Sequence, residues 1–142
     1  MSGYLTADGA DYFLNLFRNG EPPIPMYYLA LVVGSQPGVT ATGIELEEPV
    51  IEEYARAEVP NESGNWDMAQ QSLTNLNEIA FPVPSEDWGN CRYWALCDAA
   101  ESGRVLVAGE LEAFEITSGN QVFFNPGTLE IALELDSWAA TL

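Results

Sequence analysis

The chain has 142 residues, 47% of them hydrophobic, which is enough for one folded core and excludes a disordered polymer. Its 22 Asp and Glu stand against four arginines, with no lysine and no histidine, and the net charge of −18 makes nucleic acid and anionic membranes unfit partners. No apolar run reaches the ~18 residues of a membrane-spanning helix, and the start, MSGYLTADGADYF, lacks the basic and apolar segments of a secretion signal.

Residues 6–19 predict the one substantial helix. Thr6 or Asp8 can cap its start, and Tyr12, Phe13, Leu16 and Phe17 recur on one apolar face. Asn19-Gly20 ends it, and Pro22-Pro23 prevent continuation. That face must lie on the sheet or on a neighbouring subunit.

Met26 to Val33, MYYLALVV, is a continuous apolar run of strand length and suits a strand buried on both faces. A polar, turn-rich segment follows from Gly34, and the loop extends to Glu53. Within it Glu45, Glu47, Glu48, Glu52 and Glu53 crowd around Pro49. Tyr54 to Val59 reads as a strand and Pro60 to Gln71 as a loop. From Leu76 to Val83, Ile79, Phe81 and Val83 alternate with Glu78, Ala80 and Pro82; the prolines cannot donate to a ladder, so this strand lies at an edge.

Residues 88–135 hold a succession of short apolar runs between polar turns. Cys91, Tyr93, Ala95 and Cys97 are expected on one face of a strand, with Arg92, Trp94, Leu96 and Asp98 on the other. On such a strand the two cysteines stand roughly 20 Å apart, beyond disulfide reach, and read as reduced core residues. Asp98 to Gly103 is a hairpin loop, Val105 to Ala108 returns, and Phe114 and Ile116 lead to a turn at Ser118-Gly119-Asn120 before Val122 to Phe124. Asn125-Pro126-Gly127 is a further turn. Beyond it Leu129, Ile131, Leu133 and Leu135 alternate with Glu130, Ala132 and Glu134, the pattern of a half-buried strand.

Seven or eight strands with turns every 8–12 residues predict a mainly β fold, an antiparallel β-sandwich or jelly-roll-like barrel carrying one N-terminal amphipathic helix. The chain reads as a single domain, 1–142, with the helix at 6–19, the β domain at 26–135 and a short tail at 136–142.

The order of the pieces is distinctive. A helix and a proline break precede YLALVVG, then come TGIELEE, YARAEV, EIAFPVPSEDWGN, YWALCDAAESGRVLVAGEL and SGNQVFFNPGTLEIALEL. This succession, over about residues 10–135, resembles a family of small tailed-bacteriophage virion structural proteins, commonly described as tail-fibre or minor structural proteins. Similar modules act as capsid decoration or cement proteins. The resemblance implies a place in the virion after assembly in the host cytoplasm, and a role exercised by binding. The preferred reading is a decoration protein reinforcing the outer capsid surface, because no repeat or coiled coil supplies a fibre shaft. The alternative is a tail-associated protein touching the host surface, with aromatic residues on glycans. The expected partners are the major capsid protein or other virion proteins, and further copies of the chain, a trimer among the options.

Ser-His-Asp and Cys-His catalysis fail for want of histidine, two cysteines make no zinc site, and no phosphate loop is present. Neither catalytic residue, cofactor nor metal is expected; the Glu45–Glu53 cluster lacks calcium-loop spacing. Residues expected to meet partners are Tyr12, Phe13 and Phe17 on the helix, Glu47, Glu48, Glu52 and Glu53 in the acidic loop, with Arg56, Trp66 and Trp138. Arg56 and Arg92 are each expected to hold a carboxylate, inside the fold or across a subunit boundary. Asp87 is read as an acceptor of backbone N–H groups in a turn. Trp88 is read as the plug of one end of the fold, or as a sugar platform with Trp66 or Trp94. Neutralising the loop acids is expected to spare the fold.

Overall fold

Most of the apolar runs become strands in a computed structural model that describes residues 2–132. In chain order the elements are β1 (Ser2–Leu5), α1 (Ala7–Phe17), β2 (Met26–Val32), β3 (Ala57–Pro60), β4 (Trp66–Ala69), β5 (Ser72–Asn75), β6 (Ile79–Ala80), β7 (Gly89–Cys97), β8 (Val105–Ile116), β9 (Phe123–Phe124) and β10 (Glu130–Ala132). Eight strands form one sheet in the order β3-β2-β7-β8-β1-β10-β5-β4, which curls into a half-barrel; β6 and β9 pair separately. The mainly β expectation with one N-terminal helix holds. One pair, β1 with β10, is parallel.

The sheet is organised around one row of side chains running across its strands. Leu31 pairs with Trp94, Trp94 with Gly109, Gly109 with Gly3, Gly3 with Ile131, Ile131 with Leu73 and Leu73 with Met68. Directly opposed residues on neighbouring strands share a face. The Trp94 indole therefore lies over two glycines: a Cβ on Gly3 or Gly109 would overlap its ring. Trp94 is fully buried, and its Nε1 has no hydrogen-bond partner. On this face the core continues through Leu29, Leu96, Phe81, Trp88, Phe124 and Leu129.

α1 closes over the same face. Thr6 is its N-cap, accepting from Gly9 N at 3.0 Å and donating to carbonyls of β8. Gly9 sits so close to β8 that a Cβ would overlap the Leu106 carbonyl oxygen. The helix stops where Asn19 turns left-handed (φ 57) just past Arg18. Tyr12 is buried and Leu16 packs against the core, but Phe13 and Phe17 point outward, which corrects the expected apolar face. The close seat at Gly9 sets the helix rotation and turns Phe17 away from the sheet.

The opposite face of the sheet is lined by Ala30, Ala95, Ala108, Cys97 and Val105, with Tyr4 and Leu46 laid on them. Small side chains there let the long loop after β2 come close. Val33 N donates to Glu47 O at 2.9 Å, and Tyr4 OH to Pro37 O at 2.5 Å.

Several expectations are corrected. β1 is an additional strand, held by partners at both sides and without an apolar alternation of its own. Residues expected as loop at 60–71 include β4, half of a hairpin with β5. The strand expected at 54–59 begins only at Ala57, because Tyr54 and Arg56 bond to loop groups. The alternation at 79–83 holds for Ile79 and Phe81 but fails at the exposed Val83, and only two residues pair. Pairing of β7 with β8 is irregular between Cys91 and Tyr93. Cys91 consequently packs with Trp94 and Leu96, while Cys97 packs with Ala95 on the other face, so the two cysteines do not share a side. Of the closing alternation, Leu129 is buried and Ile131 packs against the core; Leu133 and Leu135, like the tail with Trp138, lie outside the described residues.

The turns carry their expected conformations. Gly119 and Gly127 have φ of 82 and 84, and Thr128 N donates back to Asn125 O at 3.1 Å. The β4–β5 hairpin turns on Gln70 and Gln71, both left-handed (φ 49 and 65), a two-residue turn that ordinarily takes Asn-Gly.

Two outcomes are expected. Gly109→Ala forces the Trp94 ring from its slot and lowers stability by about 1–3 kcal/mol, read by urea denaturation. Gln71→Gly relieves left-handed strain and raises stability by about 0.5–1 kcal/mol, read as an increase in Tm.

Candidate functional site

An apolar groove opens in the main face where the cross-strand row reaches Ile131, Leu73 and Met68. Its volume is about 420 Å³, and Phe13, Trp66 and Leu106 are among its further apolar lining. Its rim carries Asn61, Glu62 and Ser63 and no cation. α1 forms one wall because Tyr12 is anchored. Its hydroxyl pairs with Tyr27 OH at 3.1 Å and accepts from Ile24 N at 3.1 Å, and the Arg104 guanidinium stands 5.7 Å from its ring centre. Arg104 in turn donates to Asp98 at 2.7 Å and to Glu21 at 3.2 Å, so the hairpin after β7 and the segment after α1 hold one another. With Tyr12 fixed inward, Phe13 is 44% and Phe17 96% exposed.

The acidic loop divides into inward and outward groups. Glu48 accepts from Arg56 Nε at 3.0 Å, from Arg56 Nη2 at 2.9 Å and from Tyr54 OH at 2.7 Å. Arg56 also donates to the carbonyls of Ala99 (2.8 Å), Ser102 (2.9 Å) and Gly43 (3.2 Å). All five guanidinium N–H groups are thereby used. Arg56 ties the β7–β8 hairpin to the long loop, and its side chain is almost wholly buried. Glu45 accepts from Thr42 N at 3.1 Å. Glu53 accepts from Ser85 N at 2.7 Å and from Trp88 Nε1 at 3.1 Å. Glu47 and Glu52 are exposed. Neutralising all four of Glu47, Glu48, Glu52 and Glu53 would thus disturb the fold, contrary to the expectation from sequence. Among the described residues no group of three or more His, Cys, Asp or Glu is placed to hold a metal ion.

Trp88 is buried, with Tyr54 edge-on at 5.2 Å, and Trp94 is buried beneath the helix side of the sheet. Neither offers a ring face to solvent, so the sugar platform built on them is excluded. Trp66, half-buried in the groove wall, is the exposed remainder of that trio. Asp87 accepts from Ser118 N at 2.9 Å across the neighbouring turn, as its backbone-acceptor reading requires. Arg92 is exposed and forms no ion pair among the described residues, because the irregularity of β7 turns it to solvent. Burial pushes the Cys91 thiol up to about 11 and the Cys97 thiol up to about 12, so neither is a nucleophile at neutral pH.

The sequence reading passed over Arg104, Asn75 and the Met68–Leu73 pair. The six-residue span from Asp98 to Arg104 across a hairpin was the available signal for the first. Asn75 is buried, donates to Asn125 O at 3.0 Å and accepts from Leu129 N at 2.9 Å, a loop-fastening role with no sequence signature.

Two outcomes are expected from the loop network. Arg56→Met leaves Glu48 without its cation and costs about 3–5 kcal/mol; Arg56→Lys, with three donors for the same acceptors, recovers only part of it in denaturant titrations. Glu53 is held at about 2, first by the Ser85 N–H, against opposing desolvation, and then by the Trp88 N–H. Its folded value lies below the ordinary ~4.3. The stability it contributes is therefore complete above that value and is lost as pH falls toward about 2. Glu53→Gln is expected to flatten this acid limb of a Tm-versus-pH profile.

A family model described as "Podophage GP4 fiber I protein gp80" matches residues 1–132. A search of curated proteins finds no match. The matched span includes α1, the acidic loop and every strand of the sheet, so the chain belongs to this family of podophage fibre proteins, structural components of the virion.

Proposed function

We propose that this chain is an attachment module of a virion fibre, acting by binding other virion proteins and carrying no reaction of its own. The observation that supports it best is where the apolar surface lies. On a chain of net charge −18, Phe17 and Val50 are each 96% exposed, Leu14 and Ile44 are also outward, and the exposed Phe13 and Met68 line an open apolar groove. Apolar patches of this kind on a charged surface mark interaction sites. α1 supplies Phe13 and Phe17 to such a contact, the loop supplies Glu47 and Glu52, and Trp66 lines the groove. Arg56, Glu48 and Glu53 act by holding the loop that presents the others.

A second reading, capsid decoration, is favoured by the shape of the one described helix, whose 11 residues are too short for a coiled-coil shaft. The fibre reading takes precedence because the family is one of fibre proteins. In either place, self-association as a trimer would multiply small contacts through avidity.

Counting copies of the chain in purified virions by quantitative mass spectrometry separates the two. A few copies per particle, with antibody labelling at the tail, is the expected result. Hundreds of copies spread over the head would establish decoration, and absence from the particle would overturn both.

A further inference from the structure

We propose that the groove receives an extended segment of another virion protein, apolar at alternate residues and bearing Lys or Arg, laid alongside β4. The inference rests on the attachment reading above and names the kind of partner.

Three observations converge on it. First, β4 ends the eight-strand order, and among the described residues its outer side pairs with no strand. The other end of the sheet is blunted, since β3 closes on Pro60 and lies against β6. An unpaired edge offers backbone N–H and C=O groups to an added strand. Second, Trp66 and Met68 alternate along β4 and both line the groove. A strand added there would carry every second side chain onto the same face, extending the row that ends at Leu73 and Met68. Met68, 78% exposed, has room for such a neighbour.

Third, charge selects the partner. Glu62 stands on the rim and Asp67 on β4 itself, both exposed, and no arginine lines the groove. Pairing β4 with a second copy would bring Glu62 and Asp67 toward their own counterparts, on chains that each carry −18. A basic segment meets the same acids favourably. The Gln70–Gln71 turn, strained in both residues, joins β4 to β5 at the end of this wall.

The test is binding of the full chain to an array of overlapping 12-residue peptides spanning the other proteins of the purified virion. Peptides with alternating apolar residues and at least one Lys or Arg are expected to bind. Binding should fall at least tenfold with Met68→Arg or Asp67→Lys, weaken as salt rises, and fail when the peptide backbone is N-methylated at alternate residues. Met68 and Asp67 are exposed, so both variants should keep the native Tm. No bound peptide, binding by acidic peptides alone, or binding unchanged in both variants would overturn the proposal. Absence of the chain from virions overturns the attachment reading as well; its presence with no bound peptide overturns only the role given to the groove.

Discussion

The packing of Trp94 across Gly3 and Gly109 is the constraint on which the half-barrel depends. A single indole fills the volume that two side chains would otherwise take, on adjacent strands far apart in the sequence. The close approach explains why β1 joins the sheet although its own sequence, SGYL, has little to bury. It also leaves Trp94 Nε1 buried without a partner, at a cost that a deeply packed aromatic can offset through its buried area. Beyond Gly3 the row runs on to Ile131, Leu73 and Met68, where no described element lies over it, and that is where the groove opens.

Polar anchors do for the loops what Trp94 does for the sheet. Arg56, Arg104 and Asn75 each fasten segments distant in sequence, through the long loop, the helix exit and the turn before β10. Two of the four arginines are thereby spent inside the fold, while most acids remain outside. The described exterior is therefore mostly negative, and its exposed apolar side chains stand against that charge.

Much of this was legible in the residues. The run MYYLALVV is buried on both sides at Leu29–Val32, as its unbroken apolarity requires, and the Asn125–Gly127 and Ser118–Asn120 turns sit where glycine permits them. The helix was legible in place but not in rotation, because periodicity cannot say that Gly9 rather than Phe13 or Phe17 meets the sheet. β4 was hidden by its four-residue length between polar flanks, and its hairpin by a turn lacking glycine. The division of the acidic loop into bonded and free carboxylates was beyond reach, since Glu47 and Glu48 are adjacent in sequence and differ only in what lies beside them. The family's motifs indicated the virion, but not which surfaces work there.

The parallel pairing of Ser2 with Glu130 joins the first described strand to the last. No smaller part of the chain can complete the sheet, because β1 sits between β8 and β10 and bridges them. During synthesis β1 must wait, unpaired on one side, until β10 has left the ribosome. Contacts of such long sequence separation make folding slow. A chain cut short before residue 130 would therefore expose two raw sheet edges, so incomplete copies are poorly suited to enter a particle.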